Sequence, residues 1–206
     1  MENYKKNLDL LTKNHVYSKE MEHDACGVGL IASTEGKKSR AIVEYGVEAL
    51  KAVWHRGAVD ADGKTGDGAG IHVEIPKDFF IEKIQVTGHD YDNSEICVGM
   101  IFLPRNDYSA QESCKTIVES ELTKNNFSIY GWRQVPVNPK VLGEKALQTM
   151  PEIIQVLFKP NDPNLLDKNL ERRIYETRKR IENKAFDASL NNFYICSISS
   201  KSIIYK

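Results

Sequence analysis

The amino-acid sequence predicts an α+β fold. Short apolar or alternating segments predict strands, and longer segments with apolar residues at three- and four-residue spacing predict helices. The two kinds of element follow one another without strict strand–helix–strand alternation, which favours α+β over a doubly wound parallel sheet. The chain has 206 residues, of which 41% are hydrophobic and 28% charged, so it is long enough to bury a core of useful size.

The first third of the chain predicts a polar leader, a strand, a helix and a loop. Residues 1–25 are polar and charged, and the small apolar run CGVGLIAS at 26–33 predicts a strand that starts at its cysteine. Residues 40–55 carry apolar side chains at helical spacing, and Ser39 can cap the helix that they predict. Five glycines interleaved with aspartates at 56–70 exclude regular structure and predict a loop.

The middle of the chain predicts two strands and two helices. Residues 70–75 alternate and predict a strand that Pro76 ends, and a short helix is expected at 78–84. A strongly apolar run at 95–104 predicts a strand buried on both faces. The next helix is expected to run to about Lys124, opened by a capping-box pattern that consists of Ser109 and Glu112.

The last third predicts two more strands, a long helix and a terminal hairpin. The strands are expected at 127–137 and 152–160, the helix at 164–185, and the hairpin at 193–200 and 202–206. The basic side of the long helix is expected to face water. Residues expected to face the core are Leu165, Leu166, Leu170, Ile174 and Ile181 of that helix, together with Trp54 and Trp132.

Charge and apolar patterning exclude several classes of function. The formal net charge is −1, so nothing indicates a nucleic-acid partner. No apolar run reaches membrane-spanning length, so no membrane partner is expected. Residues 1–25 lack the continuous apolar stretch of a secretory signal. The expected location is therefore cytoplasmic, where thiols stay reduced.

One cysteine lies in a setting that could support chemistry. A disulfide framework and a cysteine-based metal site are unsupported, because the cysteines are far apart and form no Cys-x-x-Cys pair; they are Cys26, Cys97, Cys114 and Cys196. Cys26 starts the first predicted strand, and the adjacent Gly27 lets backbone approach a ligand closely. A lone cysteine is usually a buried structural residue, and a nucleophilic thiol needs a base that the local sequence does not fix.

Three other motifs suggest binding sites. His55 and Arg56 end the first predicted helix, where cations suit the negative end of the helix dipole; Arg56 could alternatively hold a carboxylate in a cleft. The aspartates that follow could begin a calcium loop, but Thr65 and Ile71 occupy the positions that need glycine and glutamate. The glycine spacing at 66–70 also fits no phosphate-binding loop.

Several segments resemble the N-terminal region of glutamate synthase large subunits. They are ACGVGLIAS (25–33), EALKAVWHRGAVDADGKTGDGAGIHVEIPKDFF (48–80), YGWRQVPVNP (130–139) and FYICSISS (193–200). The resemblance implies a class II glutamine amidotransferase domain with an N-terminal-nucleophile hydrolase fold, in which two stacked sheets lie between helical layers (αββα). It also implies that residues 1–25 are a leader removed by cleavage before Cys26, and that 26–206 are the N-terminal part of the domain.

The resemblance implies a role for each candidate site residue. Cys26 would attack the side-chain amide of glutamine, and its own α-amino group, free after cleavage, would act as the base. Arg56 would bind the substrate. His55, Gly27 and Asp67 would shape the site, and no metal is expected in it.

The resemblance also implies cofactors and partners. This chain is expected to hold no cofactor, whereas the full-length enzyme would carry FMN and an iron–sulfur cluster in a synthase domain that receives the ammonia. The function implied is therefore glutamine amide hydrolysis within glutamate biosynthesis. The expected partners are glutamine, the rest of the synthase polypeptide, and a small electron-donating subunit or ferredoxin.

One departure from the family pattern produces a competing expectation. The family's oxyanion hole uses an Asn-Gly pair, whereas Asn191 and Asn192 are followed by Phe193. The fold is thus expected to be incomplete at the C-terminus, its last strand to lack a neighbour, and the chain alone to be a very poor glutaminase. The alternative function is an inactive truncated fragment that complements a second polypeptide, or a gene remnant.

Overall fold

The computed structural model describes residues 6, 10, 12–13, 27–54 and 57–206. Within these residues the helices and strands alternate irregularly, as the α+β prediction expects. In chain order they are α1 (Arg40–Ala52), β1 (Ile71–Glu74), α2 (Lys77–Val86), β2 (Cys97–Leu103), α3 (Tyr108–Lys124), β3 (Phe127–Gln134), a 3₁₀ turn (Pro139–Val141), α4 (Glu144–Thr149), β4 (Glu152–Pro160), α5 (Asp167–Asp187), β5 (Tyr194–Ser199) and β6 (Ser202–Tyr205).

The larger sheet is antiparallel and is organised around β2. Its strand order is β3-β4-β2-β5. Six of the seven β2 residues are buried, so its side chains pack on both faces of the sheet, as its apolar run predicts. Gly99, at the middle of β2, allows this close packing: a methyl group there would lie 2.7 Å from Cγ1 of Val156 on β4.

Helices α3 and α5 cover one face of this sheet. The core between these helices and the sheet, here called the helix-side core, contains Val118 and Leu122 of α3. It also contains Leu170, Ile174 and Ile181 of α5. The expected core face of the long helix is thus confirmed at these three positions. Leu166 is 48% exposed instead, because the helix begins only at Asp167.

The opposite face of the larger sheet packs against the smaller sheet and α2. Strands β1 and β6 pair antiparallel, with Ile71 opposite Tyr205. A second core fills the space between the sheets and includes Phe80, Ile84 and Ile203. Helix α1 contacts β1 from outside. The layer order is therefore helix, sheet, sheet, helix, which confirms the expected αββα arrangement.

The predicted terminal hairpin is wrong, because β5 and β6 belong to different sheets. Serine side chains explain how the chain leaves one sheet for the other. The Ser197 hydroxyl accepts a hydrogen bond from the Ile204 amide at 3.1 Å, and Ser199 accepts from the Lys201 amide at 2.9 Å. Hydroxyls thus replace the carbonyl partners of a hairpin. The expectation that the last strand lacks a neighbour is also wrong, since β6 pairs with β1.

Two other local predictions are wrong. The described part of the first predicted strand, 27–33, forms no regular element, and Val28 is 92% exposed. A strand needs a hydrogen-bonding neighbour, and none of the described strands pairs with this segment. Trp54, expected in the core, is 77% exposed because α1 ends before it. Trp132 is half-buried; it packs against the helix-side core, and its indole N–H donates to Glu119 at 2.6 Å.

Side-chain acceptors cap the starts of α1 and α3. Ser39 caps α1 as predicted, accepting from the Ile42 amide at 3.4 Å. Helix α3 is capped by Asp107, not by Ser109, because the aspartate carboxylate accepts from the Ala110 amide at 2.9 Å and starts the helix earlier. No helix in the described ranges combines the length and apolar character needed to span a lipid bilayer.

A charge pair between a buried carboxylate and a half-exposed lysine joins the two covering helices. Glu121 of α3 is only 3% exposed, and its carboxylate contacts the ammonium of Lys184 on α5. Lys184 lowers the pKa of Glu121 below its ordinary value of 4.5. The basic side of α5 therefore does not wholly face water, and Arg178 also turns inward to donate to the Ile195 carbonyl at 2.8 Å.

We predict that Glu121→Gln lowers the free energy of unfolding by about 1–2 kcal/mol at neutral pH, because it removes the charge from a buried carboxylate that accepts from Lys184. Glu112→Gln is the matched control, since its carboxylate is 72% exposed in the same helix. Urea unfolding curves measure both. The carboxylate's pKa is lowered by folding, so the difference from wild type should shrink as the pH falls below 4.5. Equal midpoints for wild type and Glu121→Gln at neutral pH would contradict the prediction.

Candidate active site

The predicted site residues divide into two groups. Cys26, His55 and Arg56 lie outside the described residues, whereas Gly27 and Asp67 lie within them. The structure therefore describes the residues that follow Cys26 in the chain and those on either side of His55 and Arg56.

The chain after Cys26 runs in open space. Gly27 and Val28 are exposed, and a side-chain carbon built on Gly29 would meet no atom within 4 Å. A substrate could therefore reach the backbone of this segment without displacing other side chains, as its glycines predict.

The loop that follows Arg56 is tied into one hydrogen-bonded unit. Val59 and Gly66 form an isolated antiparallel bridge. Within this bridge the Asp60 amide donates to the Thr65 carbonyl at 2.7 Å. Gly63 turns the chain with a φ of 68°, a value that favours glycine. The sequence predicts a loop correctly but gives no signal for its internal pairing.

Asp67 closes this unit through a contact with Ala58, which follows Gly57 in the chain. Its carboxylate accepts a hydrogen bond from the Ala58 amide at 2.8 Å. The preceding amide, of Gly57, donates to the Trp54 carbonyl at 3.0 Å. Both of the described residues that directly follow Arg56 are thus held by hydrogen bonds.

Two further aspartates of the loop are engaged in structural contacts. The Asp62 carboxylate accepts from the Thr65 hydroxyl at 2.5 Å and from the Thr65 amide at 2.7 Å. These bonds hold the pKa of Asp62 well below its usual range, and the bond from the Thr65 hydroxyl has the largest effect. Lys145 lowers the pKa of Asp60 through an ion pair of 2.6 Å. These carboxylates therefore have protein partners within the loop and on α4.

The three described cysteines are poor nucleophiles. Burial raises the pKa of Cys97 well above its ordinary value and that of Cys114 to about 11. Burial also raises the pKa of Cys196. All three thiols stay protonated at neutral pH, and a protonated thiol attacks slowly.

The same cysteines do not fit an iron–sulfur cluster. Cys97 and Cys114 lie in the helix-side core, whereas Cys196 lies in the core between the sheets. Among the described residues, no group of three or more His, Cys, Asp or Glu side chains is arranged to hold a metal ion.

Two cavities lie elsewhere on the molecule. The larger, about 570 Å³, is lined by β1, β6 and the start of α5, and its rim charges are paired, as in Lys77 with Glu95 at 2.9 Å. The smaller, about 380 Å³, is mainly apolar and includes Phe102, Leu142 and Met150. Neither is lined by Gly27 or Asp67.

Sequence comparison links the chain to known proteins. Residues 26–206 match the family described as class II glutamine amidotransferases. The chain is 52% identical over 203 residues to the glutamate synthase (NADPH) large chain of Azospirillum brasilense, covering 98% of this chain and 13% of that protein. It is 39% identical over 188 residues to the chloroplastic ferredoxin-dependent glutamate synthase of Spinacia oleracea, covering 90% of this chain and 11% of that protein. The chain thus spans a small part of the length of these curated relatives.

We predict that Asp67→Ala speeds hydrogen exchange of the Ala58 amide by about tenfold, because a hydrogen bond to a charged acceptor is lost. Asp67→Asn keeps a carbonyl acceptor and should have a smaller effect. Asp90→Ala is the matched control, since Asp90 is an exposed aspartate in the loop before β2. Amide exchange followed by NMR measures all three. An unchanged Ala58 rate in Asp67→Ala would show that the carboxylate does not hold this loop.

Proposed function

The chain belongs to the class II glutamine amidotransferase family, and on this basis we propose that it releases ammonia from the side-chain amide of glutamine with Cys26 as the nucleophile. One observation carries the proposal: the family match begins at Cys26 itself and continues to residue 206. The similar regions in the two relatives belong to proteins named glutamate synthases.

The proposed reaction proceeds in two steps. The Cys26 thiolate adds to the amide carbon of glutamine and forms a tetrahedral intermediate. The carbon–nitrogen bond then breaks, and ammonia leaves with the proton that the thiol gave up. Water attacks the resulting thioester, so that glutamate is released and the thiol is restored. No redox step or external co-reactant is needed beyond water.

The base in this proposal is the α-amino group of Cys26. Removal of residues 1–25 as a leader would free that amine, whose reference pKa of about 7.7–8.0 suits proton transfer near neutral pH. The amine and the sulfur then belong to one residue, so no separate general base has to be positioned. This answers the requirement for a base that the local sequence leaves open.

The state of the other thiols supports the choice of Cys26. Cys97, Cys114 and Cys196 are buried and have raised pKa values, so each is held in its unreactive protonated form. Of the four cysteines in the chain, only Cys26 is followed by an exposed, glycine-rich segment.

The remaining site residues have proposed supporting roles. Arg56 would bind a carboxylate of the substrate, which suits its planar, permanently charged group. His55 would shape the site beside it. Asp67 holds the Ala58 amide, two positions after Arg56, and Gly27 leaves room beside the nucleophile.

Transition-state stabilisation sets the expected rate. The chain contains no Asn-Gly pair, and Asn191 and Asn192 lie in an exposed turn before Phe193. Loss of one oxyanion donor costs about 10²–10³ in rate. We therefore expect slow turnover from this chain alone, and covalent capture of the nucleophile is a more sensitive assay than ammonia release.

The wider pathway assignment is also part of the proposal. In it, ammonia made here passes to a synthase domain that uses FMN and an iron–sulfur cluster, and the described cysteines do not fit that cluster. The electron donor would be a small subunit or ferredoxin; the relatives carry NADPH and ferredoxin in their names. A cytoplasmic location would keep the thiol reduced.

We predict that Cys26→Ala abolishes covalent capture of a diazoketone analogue of glutamine and lowers ammonia release at least about 10³-fold. Cys196→Ala is the matched control and should keep both, because its thiol is buried and protonated. Intact mass spectrometry detects the adduct and also shows whether residues 1–25 have been removed. An undiminished adduct in the Cys26→Ala chain would refute the assignment.

A further inference from the structure

Helix α4 contacts the loop at 57–70 from a distant part of the sequence. The Lys145 ammonium pairs with the Asp60 carboxylate at 2.6 Å, although the two residues are 85 positions apart. The Thr65 hydroxyl accepts a hydrogen bond from the Ala146 amide at 3.4 Å. The Asp62 carboxylate also faces the backbone amide of Lys145. The first turn of α4 thus meets the loop through both side chains and backbone.

Gly143, the residue before α4, makes this close approach possible. Its φ of −71° and ψ of 164° are open to any amino acid, so backbone freedom is not the reason for a glycine. Space is the reason. A side-chain carbon at Gly143 would lie 2.2 Å from the Thr65 hydroxyl and 2.3 Å from an Asp62 carboxylate oxygen. An alanine there would force the loop away from the helix.

The contacts continue through the loop as far as Ala58. The Thr65 carbonyl accepts a hydrogen bond from the Asp60 amide, and the bridge between Val59 and Gly66 joins the two sides of the loop. Asp67 then holds the Ala58 amide. A shift of the loop on α4 is therefore passed to Ala58, which is two positions after Arg56.

We propose that Gly143 and Lys145 are positioning residues of the glutamine site. They act through the loop at 57–70, which the first turn of α4 holds in place. This inference rests on the proposed function, because it assigns them an effect on glutamine binding. They touch no reacting atom. Misplacement of a binding group by about 1 Å can cost about 10² in rate. A small shift of the loop on α4 can therefore weaken glutamine binding.

Two reagents distinguish positioning from general stability. The diazoketone analogue must bind as glutamine does before it reacts with Cys26, whereas iodoacetamide needs only a reactive thiol. We expect Gly143→Ala to slow labelling by the analogue at low concentration by about 10²-fold. Lys145→Ala, which loses an exposed ion pair, should slow it about two- to fivefold. The loss should appear as a higher half-saturating concentration, and labelling by iodoacetamide should not change.

Matched variants complete the experiment. Lys145→Arg keeps the charge and should restore labelling by the analogue. Lys140→Ala removes an exposed lysine from the turn before α4 and should behave as wild type. Circular dichroism establishes which variants fold. If Gly143→Ala does not fold, the comparison of Lys145→Ala with Lys145→Arg decides.

The possible failures are separable. If Gly143→Ala and Lys145→Ala fold and the analogue labels both at the wild-type rate, the inference is overturned and the proposed function stands. A parallel loss with both reagents would also overturn it, because it would indicate a damaged thiol environment rather than a displaced binding loop. A wild-type chain that begins at Cys26 and is not labelled by the analogue at that residue would overturn the proposed function and the inference together.

Discussion

Burial of β2 on both faces is the constraint on which the rest of the structure depends. A strand that packs apolar side chains to either side needs two covering layers, and the chain supplies α3 and α5 on one side and the smaller sheet with α2 on the other. Two separate cores follow from this single strand. The exposed loop that precedes β1 is thereby placed at the outer sheet rather than in either core.

The two cores also determine the chemistry of the thiols. Burial disfavours the charged thiolate, so the cysteines in the cores keep their protons. An apolar interior thus protects three cysteines from reaction, and it does so without a metal or a disulfide. If Cys26 is the nucleophile, as proposed, burial alone keeps the three core cysteines from competing with it.

The sequence predicted features that depend on local pattern and missed those that depend on distant contacts. The apolar run of β2, the cap of α1 by Ser39 and the αββα layers were predicted, the last through resemblance. The pairing of β6 with β1 was missed, because serine hydroxyls that replace a hairpin ladder leave no periodic signal. The role of Gly143 was also missed, since its crowding comes from a loop far away along the chain.

The change of sheet between β5 and β6 has a mechanical consequence. Side-chain hydroxyls, rather than a continuous ladder of backbone bonds, connect the two layers at this point. Such connections can be exchanged for water one at a time, whereas a ladder opens cooperatively. The connection between β5 and β6 can therefore loosen by small steps while the backbone ladders of both sheets and the core between them stay intact.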